Sequence, residues 1–373
     1  MKIRSSLLSV ATVLLFCETT VLVASSNSNS KKPSPISSLT PTLISSTTQF
    51  PRGTEGITTA SINLTSYTAR PGESRDTFRT RVAWTHYSYN DPIVYPGKEG
   101  AAHLHLFFGN ALVDHNTTTE NIRTKCKSAA AGGTANCTGY WMPALLNAQK
   151  NVIPPNFSMW YYKAGYSLTD PRNVTVPPVG LKVVQGKAGA SPLKPQTNSG
   201  IPLSGDLGKE RILEYGDRGS FFNWNCGDTY LKGKPYIPQD CSPGSVLSLS
   251  LTFPICWNGR DLDSTDHLSH MANPNNGVCP TSHPVPFPTL TFNIEWEVPA
   301  GGTRGWHLSS DMYIISDKTP GGYSTHADWF NGWDTMVFGR FNNNCNRALR
   351  DCGVDVLGDG FTLGTSHQLP MRR

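Results

Sequence analysis

The clearest pattern along the chain is alternation with a period of two. In "LTFNIEWEV", Phe292, Ile294, Trp296 and Val298 alternate with Thr291, Asn293, Glu295 and Glu297. Side chains of a strand project to opposite faces in turn, so this segment predicts a strand with one apolar face. The segments "FRTRVAWTHY", "HLHLFFGN", "NFSMWYYKAG", "VGLKVVQG" and "SVLSLSLTFPICW" read the same way, each bounded by turn residues. Helical spacing is rare. Only residues 120–132 and 143–150 fit short helices. The expected fold is mainly β, a sandwich or jelly-roll-like domain with long loops and few short helices.

The same alternation isolates a chemical feature. In "AAHLHLFFGN", His103 and His105 fall on one face of the strand while Leu104 and Leu106 fall on the other. Two imidazoles on a solvated face would explain the pattern without function. Later segments give them company. "CWNGRDLDSTDHLSHM" holds Asp266, His267 and His270, "CPTSHPVPFP" holds His283, and "YSTHADWFNGWD" holds His326 and Asp328 on one face of an extended stretch. Imidazoles with carboxylates suit metal ligation, and they suit acid–base work near neutral pH. Candidate catalytic residues are therefore His103, His105, His267, His270, His326, Asp266 and Asp328. A bound divalent metal is left open, with His103, His105 and His270 as its ligands. Asn110, Trp141, Trp257, Asn331 and Trp333 are candidate substrate contacts, with the tryptophans as stacking platforms for sugars. Glu295 and Glu297 lie two apart on one face, which suits a glycosidase carboxylate pair or, more simply, a solvated strand face. No G-x-S-x-G, H-E-x-x-H or Walker motif occurs.

Composition narrows the setting. The 373 residues carry a formal charge of +5 without a dense basic run, so nucleic acid is not an expected partner. Lys2 and Arg4 precede an apolar run and small residues at 24–26, as in a secretory signal peptide over 1–25. No later stretch is long and apolar enough for a spanning helix, so none is expected in the mature chain. Residues 26–75 are rich in Ser, Thr and Pro and are expected to form a disordered stalk. One domain is expected over 76–366, with a tail at 367–373.

Beyond the signal, eight cysteines remain: Cys126, Cys137, Cys226, Cys241, Cys256, Cys279, Cys345 and Cys352. An even count in a secreted chain points to four disulfides. Eight cysteines allow about 105 connectivities, which sequence leaves open, and proximity favours pairing neighbours in that order. Sequons stand at Asn63, Asn116, Asn136, Asn156 and Asn173, which are expected on surface loops.

The ordered motifs "DPIVYPGKEGAAHLHLFFGN", "YWMPAL", "CWNGRDLDSTDHLSHM", "CPTSHPVPFPTLTF", "HADWFNGWD" and "CNRALRDCG" resemble a secreted family of fungi and actinobacteria. That family is known only as domain of unknown function number nineteen ninety-six. The resemblance covers roughly residues 85–353. It implies an extracellular polysaccharide setting, because the family often travels with a cysteine-rich, wall-binding WSC module. No such module is expected here, since the cysteines all fall inside the domain. One departure is Ala102, where the family commonly has Ser, so this chain lacks that hydroxyl. The leading expectation is a secreted protein, free or associated with the cell wall, acting on extracellular or wall polysaccharide as a His/Asp-based hydrolase or lyase, with or without metal. The alternatives are a non-catalytic glycan- or wall-binding protein and a secreted metal-binding protein without turnover.

Overall fold

The computed structural model describes residues 62–64, 76–164, 168–196, 221–227 and 233–364. The expected signal peptide, most of the expected stalk and the tail lie outside the described residues. One piece of the stalk segment is described: Ile62–Leu64 pairs antiparallel with Phe361–Leu363.

Eleven strands build two large sheets. They are β1 (Thr77–Arg81), β2 (Trp84–Ser88), β3 (His105–Gly109), β4 (Gly139–Pro143), β5 (Phe157–Lys163), β6 (Lys182–Gly186), β7 (Phe222–Cys226), β8 (Val246–Thr252), β9 (Thr289–Glu297), β10 (His326–Phe330) and β11 (Asp351–Val354). One sheet has the order β11-β1-β5-β9-β8-β7 and the other β2-β3-β4-β10-β6. Every neighbouring pair is antiparallel except β11 with β1. The expectation of a mainly β, sandwich-like domain holds, and all six alternating segments contain strands. The four disulfides join Cys126–Cys137, Cys226–Cys241, Cys256–Cys279 and Cys345–Cys352, as neighbour pairing predicts.

The core explains the alternation. Leu106 and Phe108 of β3, Tyr140 and Met142 of β4, and Ala327 and Trp329 of β10 meet Trp160, Tyr162, Phe292, Ile294 and Trp296 of the six-stranded sheet in one apolar cluster. The opposite face of the five-stranded sheet is not solvated. Phe107, Trp141 and Phe330 project there and pack under Ile93, Val113 and Ile122 from the connecting segments. That is why β3, β4 and β10 are buried on both faces and carry apolar residues at every position but a few. The few exceptions on this outer face are the histidines and the aspartate that form the site.

The expected helices at 120–132 and 143–150 do not form. The first segment is instead held in turns: the Asn110 carboxamide donates to the Lys125 carbonyl (2.8 Å) and accepts from Lys127 N–H (2.9 Å), and the Cys126–Cys137 bridge closes the loop. In the second, Leu145–Leu146 pairs with His307–Leu308, and the Asn147 side chain makes a turn by accepting from Gln149 N–H and Asn151 N–H. Among the described residues one α-helix forms, α1 (Thr335–Phe341), where no amphipathic period announces it, because Val337 to Phe341 are all buried. Asp334 caps it, its carboxylate accepting from Met336 N–H (2.9 Å) and Val337 N–H (3.2 Å). No described helix is long and apolar enough to cross a membrane.

Candidate functional site

The site forms on the outer face of the five-stranded sheet, at the end where β3 begins. Register fixes the backbone. His105 stands opposite Pro143, and Asp328 opposite Trp141, so His105 and His326 flank β4 on the same face. His103 precedes the strand rather than lying in it. Its lead-in is tied down all the same, with Ala102 N–H donating to Tyr89 O and Ala144 N–H donating to Leu104 O, both 2.9 Å. The three rings meet edge to face: 4.2 Å between the centroids of His103 and His105, 4.9 Å for His103 and His326, and 6.0 Å for His105 and His326.

Two carboxylates adjoin the rings. Asp328, two residues along β10 from His326, is 1% exposed, and neither of its oxygens has a hydrogen-bond partner among the described residues. Asp91 is also buried, and its Oδ1 accepts from the Ile93 and Val94 N–H groups, both at 2.9 Å. One coordinating atom from each of His103, His105 and His326 falls within 4.8 Å of the others. The same holds for the set Asp91, His105 and Asp328.

Hydrogen bonds to backbone carbonyls fix two of the tautomers. His105 Nδ1 donates to Asn90 O (3.1 Å), and His326 Nδ1 donates to Ser324 O (2.7 Å). Each ring therefore presents Nε2, with its lone pair, as the free nitrogen. Nε2 of His103 and Nε2 of His105 are buried and unpartnered among the described residues. Burial, reinforced by the neighbouring imidazoles, pushes His103 down to about 2 and His105 to about 3. Burial also lowers His326, against the pull of the Ser324 carbonyl and of Asp91 and Asp311. These imidazoles are neutral at pH 7. Burial raises the Asp328 carboxyl well above its ordinary value, and the charge of Asp91 adds to the rise. Asp91 is raised by burial too, opposed by its two N–H donors and by His326.

Residues 91–333 match the model of the family described as Domain of unknown function (DUF1996). The chain belongs to this family. No curated protein and no solved structure matches the chain. DUF1996 membership carries no activity with it, so the chemistry has to come from the side chains.

The structure divides the residues singled out from sequence. His103, His105, His326 and Asp328 come together. His270 does not join them: its Nε2 donates to Lys182 O (2.6 Å) and its Nδ1 bonds Ser264 Oγ (2.9 Å), so both nitrogens are occupied. Lys182 lies four residues along β6 from Gly186, the partner of His326, which is about 13 Å at the rise of a strand. His267 bonds Asp263 (2.9 Å) and His283 bonds Ser269 O (2.9 Å), within the same loop. Asp266 orients no imidazole. Its Oδ1 accepts from the N–H groups of Leu268 and Ser269 and from two serine hydroxyls, and those bonds hold its carboxyl below the ordinary range. This loop is knitted onto the edge of β6.

The expected substrate contacts are all buried. Asn110 organises the 110–127 loop as described. Asn331 donates to the carbonyls of Pro177 (3.2 Å) and Pro178 (2.9 Å). Trp141 stacks on Phe107 (5.3 Å), Trp257 on Phe287 (5.9 Å), and the Trp333 indole N–H donates to Tyr162 OH (2.8 Å). Large aromatic rings gain most by filling a core, and that term decided their place. Asp91 escaped the sequence reading. Its only signal was the Asp-Pro turn of "DPIVYPG", which reads as chain reversal rather than chemistry.

Proposed function

We propose that this protein is secreted and acts on extracellular or cell-wall polysaccharide as a metal-assisted hydrolase or lyase, with His103, His105, His326 and Asp328 as its reacting centre. The observation that carries the reading is the convergence of the buried, unpartnered Nε2 atoms of His103 and His105 with the unpartnered carboxylate of Asp328 next to His105, in a cluster whose half-buried member is His103. Such groups cost free energy when left without partners, so their retention points to a task. Imidazoles depressed to about 2 and 3 are poor proton acceptors at pH 7, which favours a ligand role over a bare general base. A divalent ion held there would supply a Lewis acid and an activated water. The four disulfides suit an oxidising, extracellular setting.

The test is a screen of wall polysaccharides with the secreted protein, read as new reducing ends and as ultraviolet absorbance of unsaturated products. A productive polysaccharide is expected, with His105→Ala lowering the rate about 100-fold or more. Unchanged polysaccharides across the screen would leave the second reading, a secreted metal-binding protein without turnover, which the burial of His105, His326 and Asp328 favours.

A further inference from the structure

We infer that His103, His105 and His326 bind a single divalent transition-metal ion through Nε2, with Asp328 and Asp91 balancing its charge and the coordination position on the His103 side left open.

The argument begins with lone pairs. His105 and His326 spend their Nδ1 protons on the carbonyls of Asn90 and Ser324. Their Nε2 atoms then bring acceptors, not donors, toward one another and toward His103. One proton could bridge only one pair of these nitrogens. A metal ion satisfies all three at once, and the carbonyl bonds behind two of the rings are the support that ligating histidines ordinarily have. Tetrahedral coordination with nitrogen at about 2.0–2.1 Å spaces ligand atoms about 3.3 Å apart. The three donors, within 4.8 Å of one another, reach that spacing by small side-chain rotations.

Charge gives the same answer. Three neutral imidazoles contribute none, and two buried carboxylates stand next to His105. A divalent ion brings the centre to neutrality, which is what burial demands.

The number of ions follows from His105. It belongs to both the imidazole set and the Asp91–Asp328 set, yet it has one nitrogen to give, because Nδ1 is taken by Asn90 O. The two sets therefore cannot be filled together. In the carboxylate set, Asp91 has already committed Oδ1 to two N–H groups. The imidazole set has no such commitments and opens outward at His103. Three nitrogen donors select zinc, copper, iron, cobalt or nickel over calcium and magnesium, which require oxygen.

This inference rests on the metal-assisted reading above, but its test does not use activity. The full-length secreted protein, purified without chelator, is assayed for metals by mass spectrometry. It is then stripped and titrated with Zn²⁺, Co²⁺, Cu²⁺, Mg²⁺ and Ca²⁺ while melting temperature and the Co²⁺ visible spectrum are followed. The expected result is about one transition ion per chain, a rise in melting temperature on reloading, and no response to Mg²⁺ or Ca²⁺. His103→Gln, at the half-buried position, keeps the fold and weakens Co²⁺ binding at least about tenfold. His270→Ala leaves binding unchanged. The inference is overturned if no transition ion binds, if Mg²⁺ or Ca²⁺ binds in its place, if two ions bind, or if His103→Gln binds as wild type does. Metal bound without activity on any polysaccharide would sink the functional proposal and leave this one standing, whereas a protein that cleaves polysaccharide but takes up no transition ion would overturn this inference and leave a metal-free His/Asp hydrolase or lyase.

Discussion

Gly186 stands opposite His326 in the β6–β10 ladder with φ 94°, and a Cβ built on it would come within 2.8 Å of the Cα and Cβ of His326. The backbone of β6 therefore passes as close to the site histidine as a chain without a side chain allows. Gly186→Ala is expected to strain β6 and push His326 out of line, although the substituted residue is no ligand. The backbone conformation alone costs about 1–2 kcal/mol. Thermal unfolding should show a fall of several degrees, and transition-metal binding should weaken as well. Wild-type metal binding in a folded Gly186→Ala protein would show that β6 does not position His326.

Asp328 makes the opposite kind of prediction. Its buried carboxylate has no partner among the described residues, so in metal-free protein it is a burden on the fold. Asp328→Asn keeps the shape and removes the group that burial drives toward its protonated form, so folding no longer carries that cost. In the presence of chelator the variant should melt higher than wild type, and with saturating metal the order should reverse. Melting curves under the two conditions check this, and a variant less stable in both would mean the carboxylate has another role.

Stability should also carry a pH signature from His86. Its ring stacks on Phe107 at 4.6 Å, and burial lowers its pKa, with the Val113 carbonyl and Asp114 opposing. The unfolded chain takes up a proton near pH 6.5 where the folded chain does not. The stability His86 contributes is thus present above about pH 6.5 and is lost as pH falls below it. His86→Phe keeps a ring against Phe107 and cannot titrate. Its melting temperature should therefore fall less than that of wild type between pH 7.5 and pH 5. A parallel fall would show that His86 takes up its proton without unfolding cost.

Among the sequons, Asn136 departs from the surface-loop expectation. It is fully buried, with its backbone paired to Trp333, whereas Asn116, Asn156 and Asn173 are exposed. Expressed through a eukaryotic secretory pathway, folded protein should carry glycans at the three exposed sites and none at Asn136. Peptide mapping after enzymatic deglycosylation in heavy-oxygen water reads each site directly. A glycan at Asn136 in correctly folded protein would contradict the packing of that loop.

How much of the site could be read in advance follows from the kind of information each residue carries. His103 with His105, and His326 with Asp328, are neighbours at a spacing of two, and a strand turns that spacing into a shared face. His270 looked equally suitable, but the docking of its loop gave both its nitrogens to Lys182 and Ser264. Asp91 looked like a turn residue and is one, and the same turn carries its carboxyl to Asp328.

The sequence by itself determined the mainly β class, the six alternating strand segments, the even count of cysteines and the family, because each rests on local periodicity, on composition or on ordered motifs; which cysteines pair was an expectation from proximity that the structure bears out. The tertiary structure decided that both sides of the five-stranded sheet are covered, that β3 and β10 flank β4, and that the tryptophans belong to the core. Those outcomes depend on strand order and on competition among distant side chains for the same buried volume. Local pattern does not record that competition: an alternating strand shows that His105 and Phe107 share a face, and only the packing of Ile93, Val113 and Ile122 over Phe107 makes that face an interior.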